Sequence, residues 1–293
     1  MQQEDVFHAY KPLLFSIAYH MLGSVMDAED CVQEAFLRWY KAGDNGETEA
    51  VRFPKAYLST IVTRLCIDQM RSARVQRECY VGVWLPEPLV ATDESRVTGM
   101  AELSEALSVA FLHLLEQLSP IERAIFLLRQ VFDYEYGEIA AMVQKSEDNC
   151  RQIMRRARQH LGARRSLYYA SREQQDTILH QFLRACTSGD MDGLLALLAN
   201  DIVTYADSGG KVPAARNPIY GADKVARFLL SMVRKAPDSF TLRVANINGR
   251  PGIVNCINHQ PYAIITLEIV DGRIQEIDIV ANPDKLRGVS ALN

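Results

Sequence analysis

The chain has 293 residues, of which 48% are hydrophobic and 23% charged, and its formal net charge is −4. This size favours two or three domains, and the composition is that of an ordinary globular protein. No apolar run approaches the roughly 18 residues of a membrane helix, and the acidic N-terminus is unlike a signal peptide, so we expect a cytoplasmic protein without a membrane segment. The six cysteines form no C-x-x-C pair and do not cluster with the six histidines. We therefore expect reduced, buried thiols, no metal site and no cofactor.

The charge is distributed in alternating blocks. The net charge is −6 over residues 1–51, +5 over 52–77, −6 over 78–120 and +3 over 121–165, while residues 166–293 are neutral overall. A chain that binds nucleic acid over its whole surface would be basic throughout. The blocks therefore predict two separate nucleic-acid contacts and another kind of contact between them.

Apolar residues at helical spacing predict a first helix over residues 4–23, which Gly23 ends. A second helix begins near Asp27, with acidic residues in its first turn, as the helix dipole favours. Its predicted buried stripe consists of Val32, Ala35, Phe36 and Trp39. The opposite side carries Asp30, Gln33, Glu34 and Arg38.

A polar loop over residues 41–49 precedes a third helix, which Pro54 opens at the first position, where proline is tolerated. One side of this helix is basic, and a glutamine accompanies it: Arg64, Gln69, Arg71 and Arg74. This side is either a solvated face or a surface that neutralises phosphates and reads single-stranded bases.

Residues 80–88 contain two prolines and three large apolar side chains, which indicates an extended linker with one packed anchor. Apolar residues then recur at helical spacing and predict one helix that packs beneath the two helices after it. These residues are Leu103, Leu107, Phe111, Leu114 and Leu118.

Two short helices follow, separated by a turn at Gln144 and Lys145. Ser146 is placed to cap the second helix, whose first turn is acidic. The apolar face of that helix comprises Ile153, Met154, Ala157 and Leu161, and off this face lie Arg151, Gln152, Arg155 and Arg156. Residues 151–165 hold six arginines and no acidic residue. The pattern favours a helix-turn-helix whose second helix enters the DNA major groove over a solvated helix pair.

The chain changes character near residue 173. Two helices are predicted there, the second capped by Asp190 and running to Ala199, and a short strand and a further helix follow over residues 202–206 and 223–235. Four strands are then predicted over residues 240–247, 252–257, 262–270 and 274–280, with turns that contain Asn248-Gly249, His259-Gln260-Pro261 and Asp271-Gly272. This order predicts an α+β domain with a curled antiparallel sheet.

Several stretches resemble one family. YHMLGSVMDAEDCVQEAFLRW at 19–39 and FPKAYLSTIVTRLCID at 53–68 resemble region two of bacterial extracytoplasmic-function sigma factors, and the helix-turn-helix resembles their region four. YVGVWLPEP at 80–88 and NPDKL at 282–286 resemble the subgroup that carries a C-terminal SnoaL-like domain. The implied fold class is multidomain, with two all-α sigma modules and a C-terminal α+β SnoaL-like cone. The expected boundaries are 1–78 for region two, 79–103 for the linker, 104–166 for region four and 172–293 for the SnoaL-like domain.

The resemblance implies a sigma factor without chemistry of its own, which binds promoter DNA and RNA polymerase core through the largest-subunit clamp helices and the flap. Core binding then maps to Asp30, Gln33, Glu34 and Arg38. Contacts to the −10 element map to Arg64, Gln69, Arg71 and Arg74. Contacts to the −35 element map to Arg151, Gln152, Arg155 and Arg156, since arginine and glutamine can read guanine and adenine edges in a bidentate manner.

DSGGK at 207–211 resembles a glycine-rich motif of the same subgroup, with Ser208 in place of a glycine. The resemblance implies that the C-terminal domain regulates the sigma modules in cis through a loop of Asp207, Gly209, Gly210 and Lys211. Two alternatives stay open. A cyclase- or isomerase-like enzyme fused to a DNA-binding adaptor would use Asp207 as a general acid or base, although no paired carboxylate or His–Asp spacing supports it. A plain helix-turn-helix repressor would have no evident use for the acidic second helix.

Overall fold

The computed structural model describes residues 3–44, 53–77, 80–90, 107–161 and 171–289. The chain divides into two compact units. The first comprises Met1–Cys79, Thr98–Ala106 and Leu114–Arg165, and the second comprises Tyr80–Val97, Leu107–His113 and Ser166–Asn293. The C-terminal domain thus forms one compact unit with two segments that lie much earlier in the chain.

The first unit begins with three long helices, α1 (Gln3–Leu22), α2 (Val25–Asp44) and α3 (Pro54–Arg77). Gly23, at φ 69°, ends α1 as predicted. Pro54 opens α3 as predicted, at the position where its missing N–H costs nothing. The helix α2 continues to Asp44, beyond the loop start predicted at residue 41, because Ala42 is still buried.

A second group of helices follows: α4 (Val109–Leu114), a 3-10 turn (Leu115–Gln117), α5 (Pro120–Gln130), α6 (Tyr136–Val143) and α7 (Glu147–Leu161). The continuous helix predicted from Leu103 is therefore wrong over its described part, since residues 107 and 108 are not helical and the helix tightens after Leu114. The side chain of Ser108 accepts a hydrogen bond from the backbone N–H of Phe111 (3.1 Å) and so favours a helix start at this point.

The helix-turn-helix is confirmed at α6 and α7. Gln144 adopts a left-handed conformation at the C-terminus of α6, and the Ser146 side chain accepts a hydrogen bond from the Asn149 N–H (3.3 Å). Cys150, Met154, Ala157 and Leu161 are buried on one side of α7. The turn and the cap were readable from the sequence because both depend on adjacent residues.

The second unit contains α8 (Arg172–Ser188), α9 (Met191–Leu197) and α10 (Ala222–Arg234) beside a six-stranded sheet. Its strands are β1 (Leu198–Asp207), β2 (Ile219–Tyr220), β3 (Phe240–Ile247), β4 (Arg250–Ile257), β5 (Gln260–Val270) and β6 (Arg273–Val280), in the order β2-β1-β6-β5-β4-β3. Asp190 caps α9 as predicted, through the Gly193 N–H (2.9 Å). The helix ends at Leu197 rather than Ala199, because β1 begins there.

The strands β3 to β6 form an antiparallel meander, as predicted. Its turns place Asn248-Gly249, Asn258-His259 and Asp271-Gly272 at positive φ, the geometry that matches the twist of two-residue hairpins. Gln260 and Pro261 belong to β5 rather than to the turn. The expectation of a purely antiparallel sheet is wrong, because β1 pairs with β6 in parallel.

Candidate functional site

One exposed face of α2 combines apolar and polar side chains. Met26, Leu37 and Tyr40 are 62%, 48% and 52% exposed. Asp30 and Gln33 lie between them at spacings of three and four residues, so all five share one side of the helix. Exposed large apolar groups on a helix that also buries Trp39 are typical of a protein-binding surface. Of the other predicted core-binding residues, Glu34 accepts a hydrogen bond from Arg38 at 2.7 Å.

The residues predicted to contact the −10 element differ in the contacts that their side chains make within the structure. The Arg64 guanidinium donates to the carbonyl oxygens of Met142 (2.9 Å) and Ala141 (2.9 Å), in the last turn of α6. Carbonyls at a helix C-terminus lack intrahelical partners, so an arginine is a fitting donor there. Region two and the helix-turn-helix are thus joined within the first unit through this side chain.

Gln69 is held by α2. Its Nε2 donates to Asp27 Oδ1 (2.8 Å), and its Oε1 accepts from the Cys31 thiol (3.1 Å). Arg71 forms an exposed ion pair with Asp68 (3.2 Å). The side chain of Arg74 lies outside the described part of the structure.

The four residues predicted to read the −35 element are all exposed on α7: Arg151, Gln152, Arg155 and Arg156. Arg151 pairs with Glu147 (2.9 Å) and lies over the Tyr136 ring, 4.6 Å from its centroid. These contacts orient the side chain. Arg155 is exposed and has no ion-pair or hydrogen-bond partner within the described ranges. This face fits the recognition helix of a helix-turn-helix.

Buried polar contacts also join the two helix groups of the first unit. Ser59 and Tyr134 hydroxyls lie 2.8 Å apart. Arg123 is fully buried, donates twice to the His20 carbonyl (3.0 and 3.2 Å) and pairs with Glu116. Burial lowers the pKa of Arg123 to about 9, which leaves it charged at neutral pH. Loss of a partner of a buried charge is strongly destabilising, so Arg123 holds these groups of the first unit together.

The strongest polar cluster of the second unit centres on Asp207, which is fully buried at the end of β1. Its Oδ1 accepts from the Tyr80 hydroxyl (2.5 Å) and the Gly209 N–H (3.1 Å). Its Oδ2 accepts from the Leu85 N–H (2.9 Å) and Lys285 Nζ (2.7 Å). Both oxygens therefore fix a segment that precedes them by more than a hundred residues. We call residues 80–90 the anchored segment.

Other groups reinforce this anchor. Lys285 lies over the Trp84 ring, 4.1 Å from its centroid, and also donates to the Leu85 carbonyl. Asn282 Nδ2 donates to the Tyr80 hydroxyl (2.8 Å). Burial, followed by the hydrogen bond to Asp207, raises the pKa of Tyr80 well above its usual value, so the phenol stays a donor.

The rest of the anchored segment follows the sheet edge. Leu85 is fully buried in an apolar cluster with Val109, Val254 and Ile264. Further along, Leu89 exchanges two hydrogen bonds with Asn248, one with its side chain (3.0 Å) and one with its backbone (2.8 Å). The linker predicted to have one packed anchor is thus held at several points.

The predicted regulatory loop lies against the same segment. A Cβ at Gly210 (φ 73°) would come within 3.1 Å of Val81, and one at Gly209 (φ 57°) within 2.6 Å of Asn282. The positive φ favours glycine at both positions, and a Cβ at 209 would also clash with Asn282 while one at 210 would crowd Val81. Lys211 forms an ion pair with Asp284.

A second segment, Leu107–His113, also belongs to the second unit. The Ser108 hydroxyl donates to Glu268 (2.8 Å), and Arg250 lies 3.5 Å from the same carboxylate. His113 meets Glu276 and Asp278, with their potential ligand atoms within 4.8 Å of one another. These three side chains offer ligand atoms of the kind that bind divalent cations, and no sequence spacing pointed to the grouping because His113 is far from the two carboxylates along the chain.

No helix within the described ranges combines the length and the hydropathy needed to cross a bilayer. The five cysteines whose side chains are described are buried and unpaired, as predicted: Cys31, Cys66, Cys150, Cys186 and Cys256.

Comparison with known proteins identifies both sigma modules. Residues 6–75 match the family Sigma-70 region 2, and residues 108–161 match the family Sigma-70, region 4. The ECF RNA polymerase sigma factor SigJ of Mycobacterium tuberculosis is 35% identical over 96% of this chain and 92% of its own length. The probable ECF RNA polymerase sigma factor SigI of the same organism is 28% identical over 98% of this chain and 97% of its own length.

The crystal structure of the extracytoplasmic-function sigma factor SigJ from M. tuberculosis superposes with a TM-score of 0.77 at 31% identity, over 95% of this chain and 96% of that one. The expected multidomain architecture is therefore confirmed, with helical region 2 and region 4 modules followed by a C-terminal α+β domain. Because the two regions occur in order and a 35% identical relative matches nearly throughout, this chain belongs to the ECF RNA polymerase sigma factors.

Proposed function

We propose that this sigma factor is regulated in cis, with its C-terminal domain controlling the sigma modules through the anchored segment. As a sigma factor, the chain binds RNA polymerase core and promoter DNA. The observation that carries the regulatory proposal is the buried Asp207 carboxylate, which accepts hydrogen bonds from both Tyr80 and Leu85. These two residues lie in the covalent connection between region two and region four.

Chain length gives this contact a physical consequence. Promoter elements centred about 25 base pairs apart are separated by about 85 Å along straight B-DNA. A connection of about 30 residues reaches about 100 Å when fully extended. While residues 80–90 and Leu107–His113 are both held on one domain, that domain and not the length of the connection sets the distance between the ends of the two modules. Release of the anchored segment therefore lengthens the reach between the two DNA-reading modules.

The contacts of Arg64 support the same proposal. While its guanidinium donates to the Ala141 and Met142 carbonyls, those N–H groups are unavailable to a phosphate. We propose that Arg64 contacts the −10 element after region two and region four separate, with Arg71, Arg74 and Gln69 beside it. The two modules packed together in the first unit would then represent a state that does not yet read the promoter.

We assign the polymerase-binding surface to the exposed face of α2. Asp30, Gln33, Glu34 and Arg38 supply polar contacts, and Leu37 and Tyr40 supply exposed apolar area. Apolar side chains near the middle of such a patch contribute most of the binding energy.

We assign recognition of the −35 element to Arg151, Gln152, Arg155 and Arg156. Each bidentate contact between such a side chain and a base contributes about 1–3 kcal/mol of discrimination.

We propose no catalytic role for the C-terminal domain. The candidate acid or base, Asp207, is fully buried and accepts four hydrogen bonds, one of them from a lysine. A carboxylate with all its lone pairs engaged is a structural group rather than a poised proton acceptor. A protein that binds RNA polymerase and promoter DNA acts where both are present, so we also propose a cytoplasmic location.

Transcription in vitro tests the regulatory proposal. The full chain and its Asp207→Asn variant are each added to core polymerase with a −35/−10 promoter template, and specific transcripts are measured against sigma concentration. We expect the variant to shift the half-maximal concentration by at least fivefold. Asp201→Asn is the matched control, since Asp201 is exposed on the same strand and bonds only to Gln275 among the described residues (2.8 Å). Identical curves for the two variants would contradict regulation through this anchor.

A further inference from the structure

The C-terminal domain encloses a cavity of about 290 Å³ between α8, α10 and the sheet. Its walls are largely apolar, with Phe182, Phe228 and Met232 from the helices and Ile253, Ile265 and Ile279 from the strands. A cavity of about 150 Å³ lined by similar side chains holds benzene. This cavity has the size for a molecule of two fused rings or an equivalent branched chain, and it is too small for a peptide helix.

One polar group in the wall is unusual. Asn255, on β4, is 3% exposed and lines the cavity, and its Oδ1 has no hydrogen-bond partner among the described residues. A buried amide oxygen without a partner is costly, so such groups are rare in folded proteins unless something supplies the missing bond. The neighbouring Cys186 thiol does not serve as a charged group, because burial raises its pKa to about 12.

We propose that this cavity binds a small apolar molecule that carries one hydroxyl group, and that the hydroxyl hydrogen-bonds to the side-chain amide of Asn255. A hydroxyl both donates and accepts, so it satisfies either end of an amide. The apolar walls accommodate a carbon skeleton without requiring any further polar group. Lys235 is the only charged residue among those lining the cavity and it is exposed, so no buried side chain in the wall would neutralise an ionic group inside the cavity.

The ligand would contact the strands that carry the anchor. Ala206 and Ala281 line the cavity, and the residues directly after them are Asp207 and Asn282. These two residues hydrogen-bond to the Tyr80 hydroxyl. The binding proposal itself depends on the cavity and Asn255 alone, and it stands or falls independently of the role of the anchor in transcription.

Calorimetric titration of the full chain with 2-naphthol and with naphthalene tests the proposal. The two probes share an apolar skeleton, and only the first carries a hydroxyl group. We expect saturable one-to-one binding of 2-naphthol, roughly tenfold tighter than naphthalene, as one hydrogen bond to an otherwise unpartnered group implies. Asn255→Leu should abolish this preference while retaining binding of both probes.

Two variants make the result specific. Asn246→Leu removes another amide of the same sheet, one that lies outside the cavity wall and whose oxygen also lacks a partner in the described part of the chain, and it should keep the tenfold preference. Ala263→Phe fills the cavity and should abolish binding of both probes, with thermal unfolding confirming that the variant is folded. Absence of saturable 2-naphthol binding to the wild-type chain would overturn the proposal. Equal affinities for the two probes, or full binding to folded Ala263→Phe, would overturn it as well.

Discussion

Replacing Asp207 with asparagine should release the anchored segment. The carboxylate accepts charge-assisted hydrogen bonds from Lys285 (2.7 Å) and Tyr80 (2.5 Å), as well as the N–H groups of Leu85 and Gly209. An asparagine keeps one acceptor oxygen and turns two donor hydrogens toward groups that also donate. Hydrogen bonds to charged groups contribute about 1.5–3 kcal/mol each, so the net loss should be about 3 kcal/mol.

Amide hydrogen exchange measures this loss locally. The Leu85 N–H donates to the Asp207 carboxylate, so its protection reports directly on opening of the anchored segment. A loss of about 3 kcal/mol corresponds to exchange that is faster by about two orders of magnitude. Leu89, which bonds to Asn248, should also lose protection, to a smaller extent.

The Asp201→Asn protein provides the comparison, because a surface substitution should change stability by less than about 0.5 kcal/mol. If Leu85 exchanges within fivefold of the wild-type rate in Asp207→Asn, the carboxylate does not hold the segment. Equal acceleration in Asp201→Asn would likewise contradict a specific role of the Asp207 carboxylate.

Three further outcomes are expected. Gly210→Ala, at φ 73° and with its Cβ 3.1 Å from Val81, should lower the free energy of unfolding by about 1–2 kcal/mol more than Gly189→Ala, where a Cβ at the same φ meets open space; denaturant titration measures both. Burial lowers the pKa of His20 to about 4, so the stability that its neutral ring contributes is complete above about pH 6.5 and falls by about 3 kcal/mol as the pH drops to 4. A His20→Asn protein should lack this part of the acid dependence, and an unchanged pH profile would contradict the assignment. Arg155→Ala should weaken binding to a −35 duplex by about tenfold, measured by fluorescence anisotropy at fixed salt.

Arg172→Ala is the control for Arg155→Ala, because it removes an exposed arginine at the start of α8, in the C-terminal domain. Equal losses of duplex affinity in the two proteins would mean that the effect is general electrostatics rather than recognition by α7.

Local patterns allowed much of this fold to be predicted. Pro54, Gly23 and Ser146 mark helix boundaries through their own backbone and side-chain chemistry, which does not depend on distant residues. The two-residue hairpin turns were readable for the same reason. The prediction of a continuous helix from Leu103 failed, because apolar spacing alone does not reveal that Ser108 meets Glu268 on the sheet.

Motifs and helical periodicity were sufficient to predict the family, the order of the modules and the basic face of α7. The partners of Asp207 and Arg64 and the position of Asn255 in a cavity wall became known only from the three-dimensional packing. Each of these depends on contacts between residues far apart in the chain, such as Tyr80 with Asp207 and Arg64 with Met142. Hydrophobic burial brings such residues together without leaving a periodic signal, because the free energy of burial depends on the area removed from water and not on separation along the chain.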